Sequence, residues 1–265
     1  MITSLQNDKV KYARALQRRR RVRHRERRLV FEGLRLTEEA LRARASLDFA
    51  FYTEAAGADS RGEKLLEALR ETGVPCFQVS ESVMIACSDT ESPQGLLAVL
   101  PFPDLPHPER PTLSLILDRV RDPGNLGTIL RTALATGVEQ VLLAPGTADF
   151  SNPKVVRAAM GAHLRLPVAA LGWRNISETI AGCEVWLAAP DGDASYRAVD
   201  WTRPTALIIG SEAFGAGEQA HALAQGRVSI PMAPGVESLN TAVATAVILF
   251  KIMEQRTADK QRPAT

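Results

Sequence analysis

Leu113-Ser114-Leu115-Ile116-Leu117-Asp118-Arg119-Val120-Arg121-Asp122-Pro123-Gly124-Asn125-Leu126-Gly127-Thr128-Ile129-Leu130-Arg131-Thr132 decides how this chain is to be read. The apolar run 113–117 has the character of a buried strand and stops at Asp118. A turn rich in Asp, Pro and Gly follows. Leu126, Ile129, Leu130, Ala133 and Leu134 then recur at helical spacing, so the order is strand, loop, helix. Asn125 falls where a helix N-cap falls, which alone accounts for an Asn, and Gly124 and Gly127 alone account for a tight turn. Arg131 lies off the apolar stripe, about two turns beyond the loop, and is placed to face whatever the loop binds.

Outward from this stretch the alternation continues. Strands are predicted at 113–118, 140–144, 184–189, 205–210 and 227–232, and helices at 126–136, 153–162, 174–181, 217–225 and 239–256. Near-continuous apolar strands with helical crossovers predict a parallel sheet covered on both faces. Such sheets bind ligands at the carboxyl ends of their strands. No GxGxxG follows the first strand and no GxxxxGK(S/T) occurs, which argues against a dinucleotide fold and a P-loop NTPase. None of the four His residues pairs with a nucleophile motif, so a hydrolase has little support.

Upstream, Pro101, Pro103, Pro106, Pro108 and Pro111 crowd into eleven residues. They cannot continue a helix or a central strand and read as an extended linker. The domains are therefore placed at 1–100 and 112–265, joined by a Pro-rich linker at 101–111. The front domain alternates too. Helix is predicted over 9–28 and 34–44, strand over 29–33 and 47–53, helix over 61–72, strand over 76–79, a helical turn over 81–86 and strand over 94–100, together a compact α/β module.

Charge separates the two parts. Residues 1–45 hold 14 Lys+Arg and 5 Asp+Glu, so the front is net +9 and the rest, against a total of +2, is net −7. Arg18, Arg19, Arg20, Arg21, Arg23, Arg25, Arg27 and Arg28 place eight like charges in eleven residues, which repel unless a polyanion neutralises them. Arginine also offers bidentate phosphate contacts, so this run is assigned to RNA phosphates. Aromatic residues near it in sequence are scarce (Tyr12, Phe31), so stacking of bases on aromatic rings is not expected there. Three cysteines without close spacing indicate neither a disulfide framework nor a zinc site. No apolar run approaches the ~20 residues of a membrane span. The segment 1–10 has no signal-peptide core, so the expected compartment is the cytoplasm.

Two further strand-end loops carry polar groups. Leu207-Ile208-Ile209-Gly210-Ser211-Glu212-Ala213-Phe214-Gly215-Ala216-Gly217 ends a strand in a glycine loop with one carboxylate. Val228-Ser229-Ile230-Pro231-Met232-Ala233-Pro234-Gly235-Val236-Glu237-Ser238-Leu239-Asn240 runs from a strand through a Pro/Gly turn into a long apolar helix. Ser238 by itself reads as that helix's N-cap and Asn240 as a first-turn polar residue.

With all three loops in view, the chain resembles the SpoU/TrmH class of the SPOUT methyltransferases. The matches are Asn125, Gly127 and Arg131; Gly210, Glu212 and Gly215; and Ile230-Pro231-Met232 leading to Ser238-Leu239-Asn240. The segment from Asn152 to Ala162 also looks like a recurring part of the class. Glu32-Gly33-Leu34-Arg35-Leu36 matches the signature of the ribosomal-protein-like RNA-binding domain that many members carry in front. Departures are small: Ser211 stands where Asn is common, Ala159 where Ser is common, and Ala216-Gly217 where Leu is usual.

The resemblance implies an α/β chain with a trefoil-knotted parallel-sheet domain behind a smaller α/β RNA-binding domain. It implies homodimers whose active site is built across the subunit interface. The implied reaction is methyl transfer from S-adenosylmethionine to a ribose 2′-hydroxyl of RNA, with ribosomal RNA favoured and no metal or membrane involved. It gives roles to residues: Asn125 orients the ribose, Arg131 holds the phosphate, Glu212 orients Asn125 or Arg131, and Ser238 and Asn240 complete the catalytic set. Ile209, Gly210, Ile230, Met232 and Leu239 line the cofactor pocket. Three alternatives stay open on sequence: a non-catalytic RNA-binding or ribosome-assembly factor that retains the fold, a tRNA 2′-O-methyltransferase, and a base methyltransferase of the wider group.

Overall fold

A computed structural model describes residues 1–212 and 215–260; Ala213 and Phe214 of the second loop motif lie outside the described residues. The chain forms two compact units, one of Met1–Asp104 with Asp149–Arg165, the other of Leu105–Ala148 with Leu166–Thr265.

The first unit opens with two helices, α1 (Asp8–Arg18) and α2 (Arg20–Glu26), where periodicity predicts one. The break falls at Arg19, whose backbone is extended (φ −122°, ψ 104°). Its physical reason is Arg23. The turn brings this side chain back to donate to the carbonyls of Leu16 (2.9 Å) and Gln17 (3.3 Å), which the last turn of α1 leaves without helical partners. The same guanidinium meets Asp149 (2.8 Å) and the Ser151 hydroxyl (3.1 Å), with its side chain only 5% exposed. Arg23 is therefore no RNA-facing residue, contrary to the sequence assignment. Arg28 is half-buried and turned to Asp48 and the Glu26 carbonyl. Arg18, Arg19, Arg20, Arg21, Arg25 and Arg27 are exposed.

Burial pushes the Asp149 carboxyl up, but hydrogen bonds from Arg23, Ser151 and His24 outweigh it and hold the group below its ordinary value of 3.8. A depressed carboxylate stabilises the fold above its unfolded value, and this contribution is lost as pH falls below 3.8 through the folded value. Arg23→Ala strands a buried carboxylate and should destabilise the chain by about 3–5 kcal/mol. Denaturant unfolding at neutral pH measures this. A loss under about 1 kcal/mol, the range of a surface pair, would contradict it.

The remaining elements of this unit are β1 (Arg28–Glu32), α3 (Leu34–Arg42), β2 (Phe49–Tyr52), α4 (Glu54–Ala58), α5 (Ser60–Glu71), β3 (Cys76–Gln78), α6 (Glu81–Cys87) and β4 (Leu96–Pro101). The strands order as β1-β4-β2-β3; β4 is antiparallel to both neighbours and β3 parallel to β2. Alternation along β4 decides both cores. Leu96, Ala98 and Leu100 join Leu36 and Ala40 of α3 and Leu65, Leu66 and Leu69 of α5. Leu97 and Val99 join Val10, Ala13 and Leu16 of α1 and Val83 and Met84 of α6. Five-residue α4 is too short for a periodic signal and was not predicted. Cys87 is buried, which pushes its thiol up to about 11, away from thiolate chemistry.

The second unit begins with β5 (Leu113–Leu117), α7 (Pro123–Ala135) and β6 (Gln140–Leu143). The segment Asp149–Arg165, with α8 (Pro153–Ala159) and a 3-10 turn at Ala162–Leu164, belongs to the first unit. There Val156 and Leu164 enter the core beside Leu29 and Phe31, and Arg157 reaches Asp89 at 3.0 Å. The second unit resumes with β7 (Val168–Ala170), α9 (Trp173–Thr179), β8 (Glu184–Ala188), β9 (Ala194–Ser195), β10 (Thr205–Ile209), α10 (Glu218–Leu223), β11 (Gly226–Ser229) and α11 (Thr241–Lys260).

Seven strands order as β7-β6-β5-β10-β8-β11-β9, and every pair is parallel. Ile116, Leu142, Leu187 and Ile208 pack on one face with Ile176 of α9, Ile180 at its C-cap and Ala220 of α10. α7 and α11 pack against each other, and their Leu126, Ile129, Leu130, Ile248, Leu249 and Ile252 are buried. The unpredicted strands β7 and β9 are the two edges, at three and two residues too short to show a pattern. Among the described residues no helix is long and apolar enough to cross a membrane.

Candidate functional site

The carboxyl ends of the adjacent strands β5, β10, β8 and β11 converge, and the three loop motifs lie there. In the first loop Asp122, not Asn125, is the N-cap of α7: its carboxylate accepts the Asn125 backbone N–H at 2.7 Å. Pro123 follows at the first helical position, where its missing N–H is no loss. The Asn125 side chain is thereby spared from capping and points out of the first helical turn.

In the second loop a Cβ at Gly210 would lie 2.5 Å from the Ala216 nitrogen and 2.6 Å from the Gly215 carbonyl carbon, so only glycine fits. The Ser211 N–H donates to the Gly215 carbonyl at 2.9 Å and closes the loop. In the third loop it is Asn240, not Ser238, that caps α11, accepting the N–H groups of Ala242 (2.9 Å) and Val243 (3.3 Å) through Oδ1.

These local choices bring three side chains together. Asn125 Nδ2 donates to Glu212 Oε1. Asn240 Nδ2 lies 3.1 Å from Asn125 Oδ1 and 3.4 Å from Glu212 Oε1. The amide orientations follow from the partners. Capping occupies Asn240 Oδ1, so its Nδ2 faces the group. A carboxylate only accepts, so Asn125 must turn Nδ2 to Glu212 and Oδ1 to Asn240. One lone pair of Asn125 Oδ1 is left to accept a hydrogen bond from a hydroxyl.

Beside this triangle is a cavity of about 440 Å³. All five residues assigned from sequence to the cofactor line it: Ile209, Gly210, Ile230, Met232 and Leu239. Glu212, Ser238 and Asn240 line it too. Sequence reasoning missed Ala188, Ala189 and Pro190 after β8 and Thr241, Ala244 and Ile248 of α11. Apart from the Thr241 hydroxyl they offer alkyl groups and main chain, which leave no chemical signature; Pro190 directly after an apolar strand was the one available signal.

Arg131 does not join the group. It follows Asn125 by six residues on the same helix, about 9 Å further along and about 120° round. It is exposed, and its side chain makes no hydrogen bond or ion pair among the described residues.

Asp118 ties the first loop to the second. It is 2% exposed, and its Oδ2 accepts the Gly217 N–H at 2.6 Å. Asp118→Ala should cost about 1–3 kcal/mol and loosen the loop that presents Glu212, whereas Asp118→Asn keeps an acceptor there. Amide exchange at Gly217 together with denaturant unfolding reads this out. An Ala variant with wild-type protection would show that the bond does not hold the loop.

Comparison with known proteins adds a family to this geometry. A profile described as the SpoU rRNA Methylase family matches residues 112–250, and one described as an MRM3-like substrate binding domain matches residues 7–98. The chain is 33% identical to the 23S rRNA (guanosine(2553)-2′-O)-methyltransferase RlmP of Bacillus subtilis, over 95% of this chain and 98% of that one. An AdoMet-bound rRNA methyltransferase from Sinorhizobium meliloti superposes with a TM-score of 0.82 at 31% identity, over 96% and 97% of the two chains. The SpoU methyltransferase AviRb of Streptomyces viridochromogenes, in complex with AdoMet, gives 0.86 at 26% identity over 96% and 99%.

Proposed function

Because the chain belongs to the SpoU rRNA methylase family, we propose that it transfers a methyl group from S-adenosylmethionine to a ribose 2′-hydroxyl of ribosomal RNA. The observation that carries this reading is the Asn125–Glu212–Asn240 triangle at the mouth of the strand-end cavity.

The residues present fit the cofactor. A cavity of about 440 Å³ lies within the range of small-molecule sites. Ile209, Ile230, Met232, Leu239 and Ile248 supply apolar walls for an adenine plane, and strand-end main chain supplies partners for its edge. Glu212 and Glu237 supply negative charge for the donor's cationic groups. When bound, S-adenosylmethionine supplies an electrophilic methyl on a sulfonium. The chain's own residues do the positioning. Asn125 Oδ1 accepts the 2′-hydroxyl hydrogen and turns an oxygen lone pair toward the methyl. Glu212, through a charge-assisted hydrogen bond, and Asn240, through a neutral one, lock that amide. Arg131, a guanidinium that stays protonated, holds the nucleotide's phosphate. The hydroxyl proton passes to that phosphate or to water.

The same reading includes a homodimer, supported by a run of exposed apolar residues: Val236, Leu239, Val243 and Phe250 are 36–49% exposed. Val243 and Phe250 stand seven residues apart, on one face of α11. It also includes a trefoil knot in the chain after β10, supported by the placement of β10 between β5 and β8 and the return of α11 onto α7. The cytoplasm is the proposed compartment, as the site of ribosomal RNA. The test is transfer of label from S-adenosylmethionine to RNA from a strain lacking the gene, with ribosomal and transfer RNA counted separately. Label in ribosomal RNA is expected; label confined to transfer RNA would overturn the substrate assignment.

A further inference from the structure

Folding places aromatic rings beside the arginine run that are distant from it in sequence. In the first unit His24 meets Phe102 edge-on (centroids 5.8 Å apart, 89°) and Phe150 likewise (6.2 Å, 81°). Phe102 and Phe150 are 5.3 Å apart. The buried ring of His163 stacks with Phe150 at 6.1 Å. The Arg27 guanidinium lies over Phe102 at 5.7 Å, and the Phe102 N–H donates to the Arg27 carbonyl at 2.8 Å. Asp149 Oδ1, 2.8 Å from His24 Nε2, holds the His24 ring, whose side chain is 39% exposed.

Two independent features mark this patch as a binding surface. The first is charge. Arg19, Arg21 and Arg27 are exposed around it with no ion pair among the described residues, while Asp149 is engaged by Arg23 and, at 3.9 Å, by Arg20, and Glu26 by Arg25. The second is backbone. Arg27 has φ 51° and ψ 54°, the left-handed conformation in which helices usually end on glycine. There its carbonyl accepts the Phe102 N–H and its guanidinium lies over the Phe102 ring.

We propose that the exposed His24 ring and Arg27 guanidinium, backed by the half-buried Phe102, form a stacking platform for an unpaired nucleobase of the RNA substrate, with the neighbouring arginines on the flanking phosphates. The proposal rests on the reading of this chain as an RNA methyltransferase. Guanidinium planes and aromatic rings stack any splayed base, whereas a duplex hides its base faces. The platform thus selects single-stranded or looped RNA and leaves base identity to the methyl-transfer site.

The test uses the full chain and two probes: a short single-stranded RNA with a central 2-aminopurine, and the same strand annealed to its complement. The wild type should quench the single-stranded probe and bind it more tightly than the duplex. Phe102→Leu keeps the apolar packing, and Arg27→Gly relieves the left-handed backbone, so both should fold, with thermal unfolding as the control. Each should weaken single-strand binding about tenfold and abolish quenching. Phe102→Leu should leave duplex affinity and salt slope unchanged, because no phosphate contact is lost. Wild-type affinity and quenching in both variants would overturn the platform. Equal losses on single strand and duplex would also overturn it, making the patch a phosphate site only. Either result alongside normal RNA methylation leaves the enzyme reading standing, and absent methylation with the expected binding results sinks that reading alone.

Discussion

Asn125→Ala should lower single-turnover methylation of RNA by on the order of 10² or more while S-adenosylmethionine still binds. Asn125 is not among the residues that line the cavity, so the cofactor loses no contact. What is lost is the acceptor that orients the ribose hydroxyl, held in place by Glu212 and Asn240. Asn125→Asp is the sharper variant. It keeps the shape but replaces the donor to Glu212 with a second carboxylate, and two abutting carboxylates repel. It should therefore also fail, and improve as pH falls and one of the pair takes a proton. Near-normal turnover in both variants would remove Asn125 from the mechanism.

Arg131→Ala should cost at least as much, and the way it is rescued is more informative than the loss. Within one chain Arg131 lies about 9 Å along α7 from Asn125, on another face. In the proposed homodimer it serves the partner's site. Mixing Asn125→Ala with Arg131→Ala chains then creates heterodimers with one intact site, and activity should recover to about a quarter of wild type for random pairing. If both residues served a site within one chain, no mixed dimer would hold an intact site. No recovery after confirmed subunit exchange would reject the shared site.

Much of this was legible in the sequence because the second unit is built of buried parallel strands. Runs such as Leu113–Leu117 and Thr205–Ile209 are buried throughout and apolar but for Ser114 and Thr205, so they announce themselves without polar–apolar alternation. Their ends locate the loops, and the loops carry the polar groups. What failed to show was decided by three-dimensional partners. Asp122 and Asn125 are both good cap residues, and only the helix start at Pro123 gives the cap to Asp122 and frees Asn125. Asn240 took the cap from Ser238 in the same way. Arg23 reads in sequence as one more phosphate-binding arginine, but the bend at Arg19 turns it onto the end of α1. Phe102 and Phe150 are far from the arginine run in sequence, so the ring cluster could not be anticipated. Ala188 to Pro190 line the cavity through main chain and alkyl groups, which sequence does not mark as functional.

The most direct measurement is the identity of the methylated nucleoside. Ribosomal RNA from a strain lacking the gene is incubated with the wild-type chain and labelled S-adenosylmethionine, digested to nucleosides, and separated by mass and retention. A 2′-O-methylnucleoside carrying the label, absent when Asn125→Ala replaces the wild type, is the expected result. A base-methylated nucleoside, or no label from protein shown to bind the cofactor, would contradict ribose methylation at this site.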